Sequence, residues 1–181
     1  MLLVVRHADA GDKRSWIGSD LLRPLSPIGW RQAVGLVERL EDYPIERILS
    51  SPAVRCRETV EPLADDRYLP VDPLPALGVD FIPGEVLGLI GDRRLRDTVL
   101  CSHGEMIAWL LAHLATTALV TDAPLEAAKG SAWLLEPSKE WVHARYLPPL
   151  ALDPPRWSAR QQPDRTMPTG AWEGTEMVGG R

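Results

Sequence analysis

Three short apolar runs, each followed by a stretch with helix signals, constrain the fold of this chain most strongly. Residues 2–5, 45–49 and 98–101 are predicted to be buried strands, because such runs are typical of parallel sheets covered on both faces. Helices are predicted at residues 26–40, 51 to about 63, 83–95 and 105 to about 119. Residues 132–135 and 141–146 are predicted to form a late hairpin.

Two of the predicted helices open with the same pair of residues. Ser26 with Pro27, and Ser51 with Pro52, each place a capping hydroxyl before a proline suited to a first helical turn. Strands that alternate with helices indicate an α/β fold. We therefore expect a three-layer sandwich with a mostly parallel central sheet and helices on both faces.

Proline divides the chain of 181 residues unevenly. Residues 148–181 hold six prolines, at positions 148, 149, 154, 155, 163 and 168. We therefore predict one domain over residues 1–147 and a C-terminal extension over 148–181 that is partly disordered. Trp157 and Trp172 oppose a wholly solvated extension, because indoles gain free energy by burial. A scaffolding role for the extension is one alternative left open.

Charge and hydropathy exclude several classes of function. The net charge of −5 argues against a nonspecific nucleic-acid binder, which would usually be basic. No apolar run approaches the roughly 18 residues of a membrane span, and the N-terminal run is too short for a signal peptide. Cys56 and Cys101 make no disulfide framework. We expect a protein of the reducing cytoplasm.

Histidines and arginines follow the predicted strands at the points where ligands bind in parallel sheets. The first strand ends in Arg6 and His7, and the third is followed by His103 and Gly104. The second strand leads into a helix whose first turn contains Arg55. Arg23, in the loop before the first long helix, could join this cluster.

These residue types suit phosphoryl transfer. Arginine presents planar forks of N–H donors to phosphate oxygens, and helix N-termini add backbone donors. A neutral imidazole is a nucleophile that can divide one difficult transfer into two easier steps. Positioned cations stabilise the charge of the transferring group. No metal-ligand motif is present, and no metal or cofactor is expected.

The segments LLVVRHADAG, SSPAVRCRET and LCSHGE together resemble the histidine phosphatase superfamily, which has the phosphoglycerate-mutase-like fold. The resemblance covers roughly residues 1–147. The short chain and the segment SDLLRPLSPIG are similar to the small SixA-type branch, whose members include protein-phosphohistidine phosphatases.

The resemblance implies a role for each matching residue. His7 would be the nucleophile that becomes phosphohistidine, with Arg6 and Arg55 binding the phosphoryl group. His103 would hydrogen-bond the phosphoryl group and stabilise its transition state, and the following Gly104 belongs to the same phosphate site. Arg23 matches the additional loop arginine of the SixA-type branch.

The chain departs from the family pattern at two points. Ala8 stands where the family usually has glycine, and alanine cannot adopt every glycine conformation. Many members carry a proton-donating glutamate, but the matching segment here ends in Ala76. Asp80 and Glu85 are the possible proton donors. Without one, good leaving groups such as phosphohistidine would be favoured over alkyl phosphates.

The expected partner is a phosphorylated protein or a small phosphorylated metabolite, with neither nucleic acid nor membrane. Mutase activity is disfavoured, because the chain has little room for the insertions that would close such a site. The main alternative is a degenerate module that binds phosphate without turnover. The oligomeric state and the physiological substrate are left open.

Overall fold

The structure of the protein, a computed structural model, describes residues 1–121 and 123–152. The strands and helices follow in chain order: β1 (Leu2–Arg6), α1 (Pro27–Arg39), β2 (Arg47–Ser50), α2 (Val54–Arg67), β3 (Val71–Pro73), α3 (Pro83–Gly91), β4 (Thr98–Ser102), α4 (Gly104–Thr117), β5 (Leu119–Val120), β6 (Ala132–Pro137) and β7 (Val142–Leu147). Short 3-10 turns lie at Lys13–Ser15, Asp20–Leu22, Pro75–Leu77 and Arg93–Leu95.

The strands form a single sheet in the order β3-β2-β4-β1-β6-β7-β5. Strands β3, β2, β4 and β1 pair in parallel, and β5 pairs in parallel with β7. Strand β6 runs antiparallel to both of its neighbours, β1 and β7. The predictions of a mostly parallel sheet and of a late hairpin are confirmed, and β5 lies beyond the hairpin at the edge of the sheet.

Alternate side chains of the central strands enter two separate cores. Leu2 and Val4 of β1 pack in the core that contains α3 and α4. Leu3 and Val5 of the same strand pack in the core that contains α1 and α2. Side chains alternate across a strand, so a strand buried on both faces is continuously apolar. The predicted three-layer arrangement is confirmed.

The predicted helix start at Ser26 is confirmed, and the one at Ser51 is wrong. Ser26 Oγ accepts a hydrogen bond from the Gly29 amide, and Pro27 stands at the first helical position. Helix α2 instead begins at Val54, and its N-cap residue, Ala53, has no side chain able to cap. The Ser51 hydroxyl contacts the ring of His103, which follows the neighbouring strand β4.

The structure also corrects the predicted ends of two helices and adds two short strands. The helix predicted over residues 83–95 ends at Gly91, after which Asp92 caps a separate 3-10 turn. Helix α4 ends at Thr117, and residues 119–120 form β5 rather than a last helical turn. The two strands that the sequence pattern did not reveal, β3 and β5, are only three and two residues long.

After β7 the chain returns to α1. The Leu152 amide donates to the Arg31 carbonyl. From residue 153 onward the predicted extension lies outside the described residues. Within residues 1–121 and 123–152, no helix has the length and hydropathy required to span a bilayer.

Candidate active site

The ends of β1 and β4 bring His7 and His103 together. The two strands are parallel neighbours, and Arg6 is in register with Ser102. The next residue on each strand is therefore a histidine at the same edge of the sheet. The imidazole centroids are 5.4 Å apart, with the rings inclined at 66°. Both side chains are buried.

The tautomer of His7 follows from one hydrogen bond. Its Nδ1 lies 2.8 Å from the Ala8 carbonyl oxygen. A carbonyl only accepts, so Nδ1 carries the proton and donates it. In the neutral ring the lone pair is then on Nε2. This is the nitrogen available for nucleophilic attack.

The environment keeps His7 neutral. Burial lowers the pKa of His7 to about 3, because the charged imidazolium loses its hydration. The hydrogen bond to Ala8 opposes this shift, whereas the nearby positive charges of Arg55 and Arg6 add to it. The buried ring is therefore deprotonated at neutral pH, as nucleophilic attack requires.

Ala8 is compatible with the backbone of this loop. Among the non-glycine residues that the structure describes, only Tyr68 and Asp97 have a positive φ. Ala8 therefore needs no glycine-like conformation.

The Ala8 amide donates to Thr59 Oγ1 at 2.9 Å, and the Thr59 hydroxyl donates to the Arg55 carbonyl at 2.6 Å. Thr59, which sequence reasoning missed, thus joins the nucleophile loop to α2.

Arg55 connects α2 to the second histidine. Only 3% of Arg55 is exposed, and its Nη2 lies 3.2 Å from His103 Nδ1. Guanidinium only donates, so Nδ1 of His103 accepts and the proton of the neutral ring is on Nε2. Nε2 lies 2.9 Å from the Ser51 hydroxyl oxygen, which accepts this hydrogen bond. The side chain expected to cap a helix therefore orients His103 instead.

Arg6 and Gly104 pack against each other. Arg6 Nη1 donates to the Ala127 carbonyl, in the loop before β6. A Cβ at Gly104 would lie 2.7 Å from Arg6 Cζ and 2.8 Å from its Nε. Glycine at the start of α4 is thus what makes room for the guanidinium. The structure places both predicted residues at the site, in direct contact.

Four buried guanidinium Nε atoms have no hydrogen-bond acceptor among the described residues, and two of the four belong to this cluster. These two are Nε of Arg6 and Nε of Arg55. Buried donors without partners are rare, and they often mark places where a ligand accepts the hydrogen bond. A phosphoryl group carries several acceptor oxygens suited to such donors. The cluster therefore has the chemistry of an anion site beside the free nitrogen of His7.

Arg23 joins this cluster through an acidic residue that sequence reasoning missed. Arg23 Nε donates to Asp20 Oδ1 at 2.7 Å, and Asp20 Oδ2 lies 3.2 Å from Arg55 Nη2. Burial alone would raise the pKa of Asp20, but Arg23, Arg55 and Lys13 together lower it. The spacing of Asp20 three residues before Arg23 was the only signal available in the sequence.

Neither proposed proton donor enters the cluster. Asp80 lies in the loop before α3, and Glu85 lies in the first turn of that helix. Both side chains are exposed. Within the described part of the chain, no hydrogen bond or ion pair connects either of them to His7 or to the arginines. Likewise, no group of three or more metal-binding side chains converges within the described ranges.

Cys56 is fully buried, although it lies between Arg55 and Arg57 in the sequence. Its Sγ lies 3.6 Å from His103 Nε2. Burial raises the pKa of the Cys56 thiol, but Cys101, His103 and Arg55 reverse the shift and bring it to about 6. Cys101 packs in the core between β4 and α2, as predicted.

Sequence comparisons relate the chain to known phosphatases. Residues 2–78 match the model of the histidine phosphatase superfamily (branch 1). The chain is 34% identical over 154 residues to an 8-oxo-(d)GTP phosphatase of Mycolicibacterium smegmatis. That alignment includes 82% of this chain but 48% of the relative, so the chain spans about half the length of the curated relative.

Solved structures show the same fold at lower identity. The protein histidine phosphatase SixA, complexed with tungstate, aligns with a TM-score of 0.61 and 22% identity, covering 83% of this chain and 96% of SixA. The alpha-ribazole phosphatase of Shigella flexneri aligns with a TM-score of 0.63 and 18% identity, covering 85% and 98% of the two chains. With the sequence match and the fold in agreement, the chain belongs to the histidine phosphatase superfamily.

Proposed function

We propose that this chain is a phosphatase that acts through a phosphohistidine intermediate on His7. One observation carries the proposal. A buried, neutral His7 with a free Nε2 lies beside Arg6 and Arg55, whose buried Nε–H donors have no acceptor among the described residues. This combination provides a nucleophile together with an electropositive site for the group that it attacks.

The reaction divides into two displacements. In the first, the Nε2 lone pair of His7 forms a bond to phosphorus, while the bond from phosphorus to the leaving group breaks. In the second, water attacks the same phosphorus and the bond to Nε2 breaks, which releases phosphate. Arg6 and Arg55 are positioned to stabilise the charge on the phosphoryl oxygens in both steps. The hydrogen bond from Nδ1 to Ala8 leaves the lone pair on Nε2 for the attack in the first step.

Three acids among the described residues bear on the class of leaving group. Asp80 and Glu85 are exposed, and Asp20 is bound to arginines as a carboxylate. A reaction without a dedicated proton donor favours leaving groups that depart readily without protonation. Phosphoramidates, such as phosphohistidine in a protein, and phosphoanhydrides meet this condition. Simple alkyl phosphates do not.

Phosphohistidine protein and a small phosphorylated metabolite therefore both stay within the proposal. The SixA likeness supports the first substrate class, and the 8-oxo-(d)GTP phosphatase relative supports a nucleoside triphosphate. A pocket of about 200 Å³ beside Arg23 favours the second class, because Trp16 lines it and an indole can stack on a base. A larger hollow of about 690 Å³, lined by Met1 and Tyr43, lies at the opposite end of β1.

The alternative of a phosphate-binding module without turnover makes a different prediction. A module needs the arginines but has no use for a neutral nucleophile with a fixed tautomer. The geometry of His7 therefore favours the enzyme. Turnover of a phosphorylated substrate decides between the two functions.

The experiment compares three proteins on three substrates. The wild type, His7→Ala and His143→Ala are assayed with an aryl phosphate, a phosphohistidine protein and an alkyl phosphate. His143 is exposed on β7 and serves as the control histidine. We expect the wild type and His143→Ala to hydrolyse the first two substrates faster than the alkyl phosphate, and His7→Ala to be inactive. Undiminished activity of His7→Ala would refute the mechanism.

A further inference from the structure

We propose that Asp20 is a positioning residue that braces Arg55 and Arg23, so that one edge of the Arg55 guanidinium stays open for the phosphoryl group. This inference rests on the proposed function of the His7 site. It assigns a task to an acidic side chain for which the phosphatase mechanism has no other use.

Asp20 occupies one edge of the Arg55 guanidinium. Arg55 Nη1 donates to the Asp20 backbone carbonyl at 2.6 Å, and Nη2 lies 3.2 Å from the Asp20 carboxylate. The two terminal nitrogens are therefore both held by a single residue. A guanidinium group whose two terminal nitrogens are both held cannot rotate freely about its own axis.

The other edge of the same guanidinium is open at Nε. Nε–H and the second proton of Nη2 point to the same side of the planar group. Nε has no acceptor in the described protein, and Nη2 contacts His103 on this side. A phosphoryl group bound here would accept from Nε next to the buried histidines. The Asp20 carboxylate does not contact Arg55 Nε, so it does not occupy the position proposed for the phosphoryl group.

Asp20 also joins the loop after β1 to the start of α2. Its other carboxylate oxygen accepts from Arg23 Nε at 2.7 Å, and Arg23 Nη1 donates to the Ala10 carbonyl at 2.7 Å. Asp20 begins a 3-10 turn that is capped by Ser19. Arg23, which ends this turn, is buried. The brace therefore connects the nucleophile loop, the 3-10 turn and α2 through charged hydrogen bonds.

The same contacts argue against a role for Asp20 as proton donor. Arg23, Arg55 and Lys13 hold the pKa of Asp20 below its usual range, although burial alone would raise it. A carboxylate that stays ionised has no proton to give to a leaving group. Its remaining function is electrostatic and geometric.

The test compares Asp20→Asn with Asp12→Asn. Asparagine keeps the shape and backbone of residue 20 but removes the charge. Asp12 caps the neighbouring 3-10 turn through the Arg14 amide and contacts none of the arginines of the site, so it is a matched control. Calorimetric titration with inorganic phosphate measures binding without requiring turnover. We expect Asp20→Asn to bind phosphate about tenfold more weakly, and Asp12→Asn to bind like the wild type.

A second measurement reports on Arg55 itself. The Nε–H resonance of Arg55, assigned by its loss in Arg55→Lys, is expected to be sharp in the wild type and exchange-broadened in Asp20→Asn. In turnover assays, the loss should appear mainly in KM for an aryl phosphate. An unchanged Arg55 resonance in Asp20→Asn would contradict the positioning role of Asp20. Phosphate binding by Asp20→Asn that is equal to or tighter than that of the wild type would contradict it too. A wild type that shows the predicted resonance but no turnover would instead refute the proposed phosphatase.

Discussion

Arg55 Nη2 lies 3.2 Å from His103 Nδ1, and this contact sets the protonation pattern of the second histidine. Because guanidinium only donates, His103 accepts on Nδ1 and presents Nε2–H to Ser51. The two histidines of the site therefore carry opposite tautomers. His7 keeps Nε2 free, whereas His103 keeps its proton there.

Arg55→Lys tests the need for a planar fork at this position. Lysine retains the charge but cannot contact Asp20, His103 and a phosphoryl oxygen together. We expect kcat/KM for an aryl phosphate to fall about 10- to 100-fold. Arg57→Lys is the matched control, because Arg57 is exposed on the same helix. Equal activity of the two variants would show that charge alone suffices.

Gly104→Ala tests the packing of Arg6 against the start of α4. The added Cβ would lie 2.7 Å from Arg6 Cζ, so the guanidinium must move. We expect kcat/KM to fall about 100-fold, because small displacements of positioning groups are costly. Gly88→Ala is the control, since a Cβ at Gly88 of α3 meets nothing within 4 Å.

The control carries an expectation of its own. Alanine in the middle of a helix stabilises it by about 0.5–1 kcal/mol relative to glycine. Gly88→Ala should therefore keep full activity and unfold at slightly higher urea concentration. Full activity of Gly104→Ala would mean that the position of Arg6 is irrelevant to the reaction.

Thr59→Val tests the hydroxyl that joins the nucleophile loop to α2. Valine keeps the volume of the fully buried residue but leaves the Ala8 amide without its acceptor. We expect a loss of about 1–3 kcal/mol in the free energy of unfolding, with reduced activity. Thr59→Ser retains the hydroxyl and should lose less than Thr59→Val in both measurements. A Thr59→Val protein as stable as Thr59→Ser would contradict the role of the hydrogen bond.

The low pKa of His7 predicts how stability depends on pH. Its pKa falls from 6.5 in the unfolded chain to about 3 in the fold, so below pH 6.5 the unfolded state binds more protons. The contribution of neutral His7 is complete above pH 6.5 and is lost as the pH falls toward 3. Between pH 6.5 and 5 the loss should be about 2 kcal/mol.

Urea unfolding of two glutamine variants measures this effect. His7→Gln removes the titrating group and should show a shallower fall in stability with acidification than the wild type. His143→Gln removes an exposed histidine and should follow the wild type. Identical pH dependence of wild type and His7→Gln would show that His7 is not held neutral by burial.

Much of the fold follows from the apolar pattern of the sequence. Strands β1 and β4 are buried on both faces, and the continuous apolar runs at residues 2–5 and 98–101 predict this directly. Strand β3 was not predictable, because its three residues include Asp72 and Pro73 and lie at the sheet edge. The start of α2 was misplaced, because Ser51 and Pro52 carry a capping signal that the contact with His103 overrides.

The site was less fully predictable than the fold. Residues that directly follow strands, such as His7 and His103, are identified by position alone, because parallel strands share an edge. Asp20 contacts Arg55 and Thr59 contacts Ala8 between elements distant in the sequence, and no local pattern reveals these two contacts. The assignment of Asp80 and Glu85 as proton donors stays a prediction without structural support.

Trapping the phosphoenzyme tests the central claim most directly. Wild-type protein is mixed with a labelled aryl phosphate, quenched in alkali during turnover, digested and mapped by mass spectrometry. We predict one acid-labile phosphoryl group on the peptide containing His7, and none in His7→Ala. Turnover without any label on His7, or a label on another residue, would contradict the account.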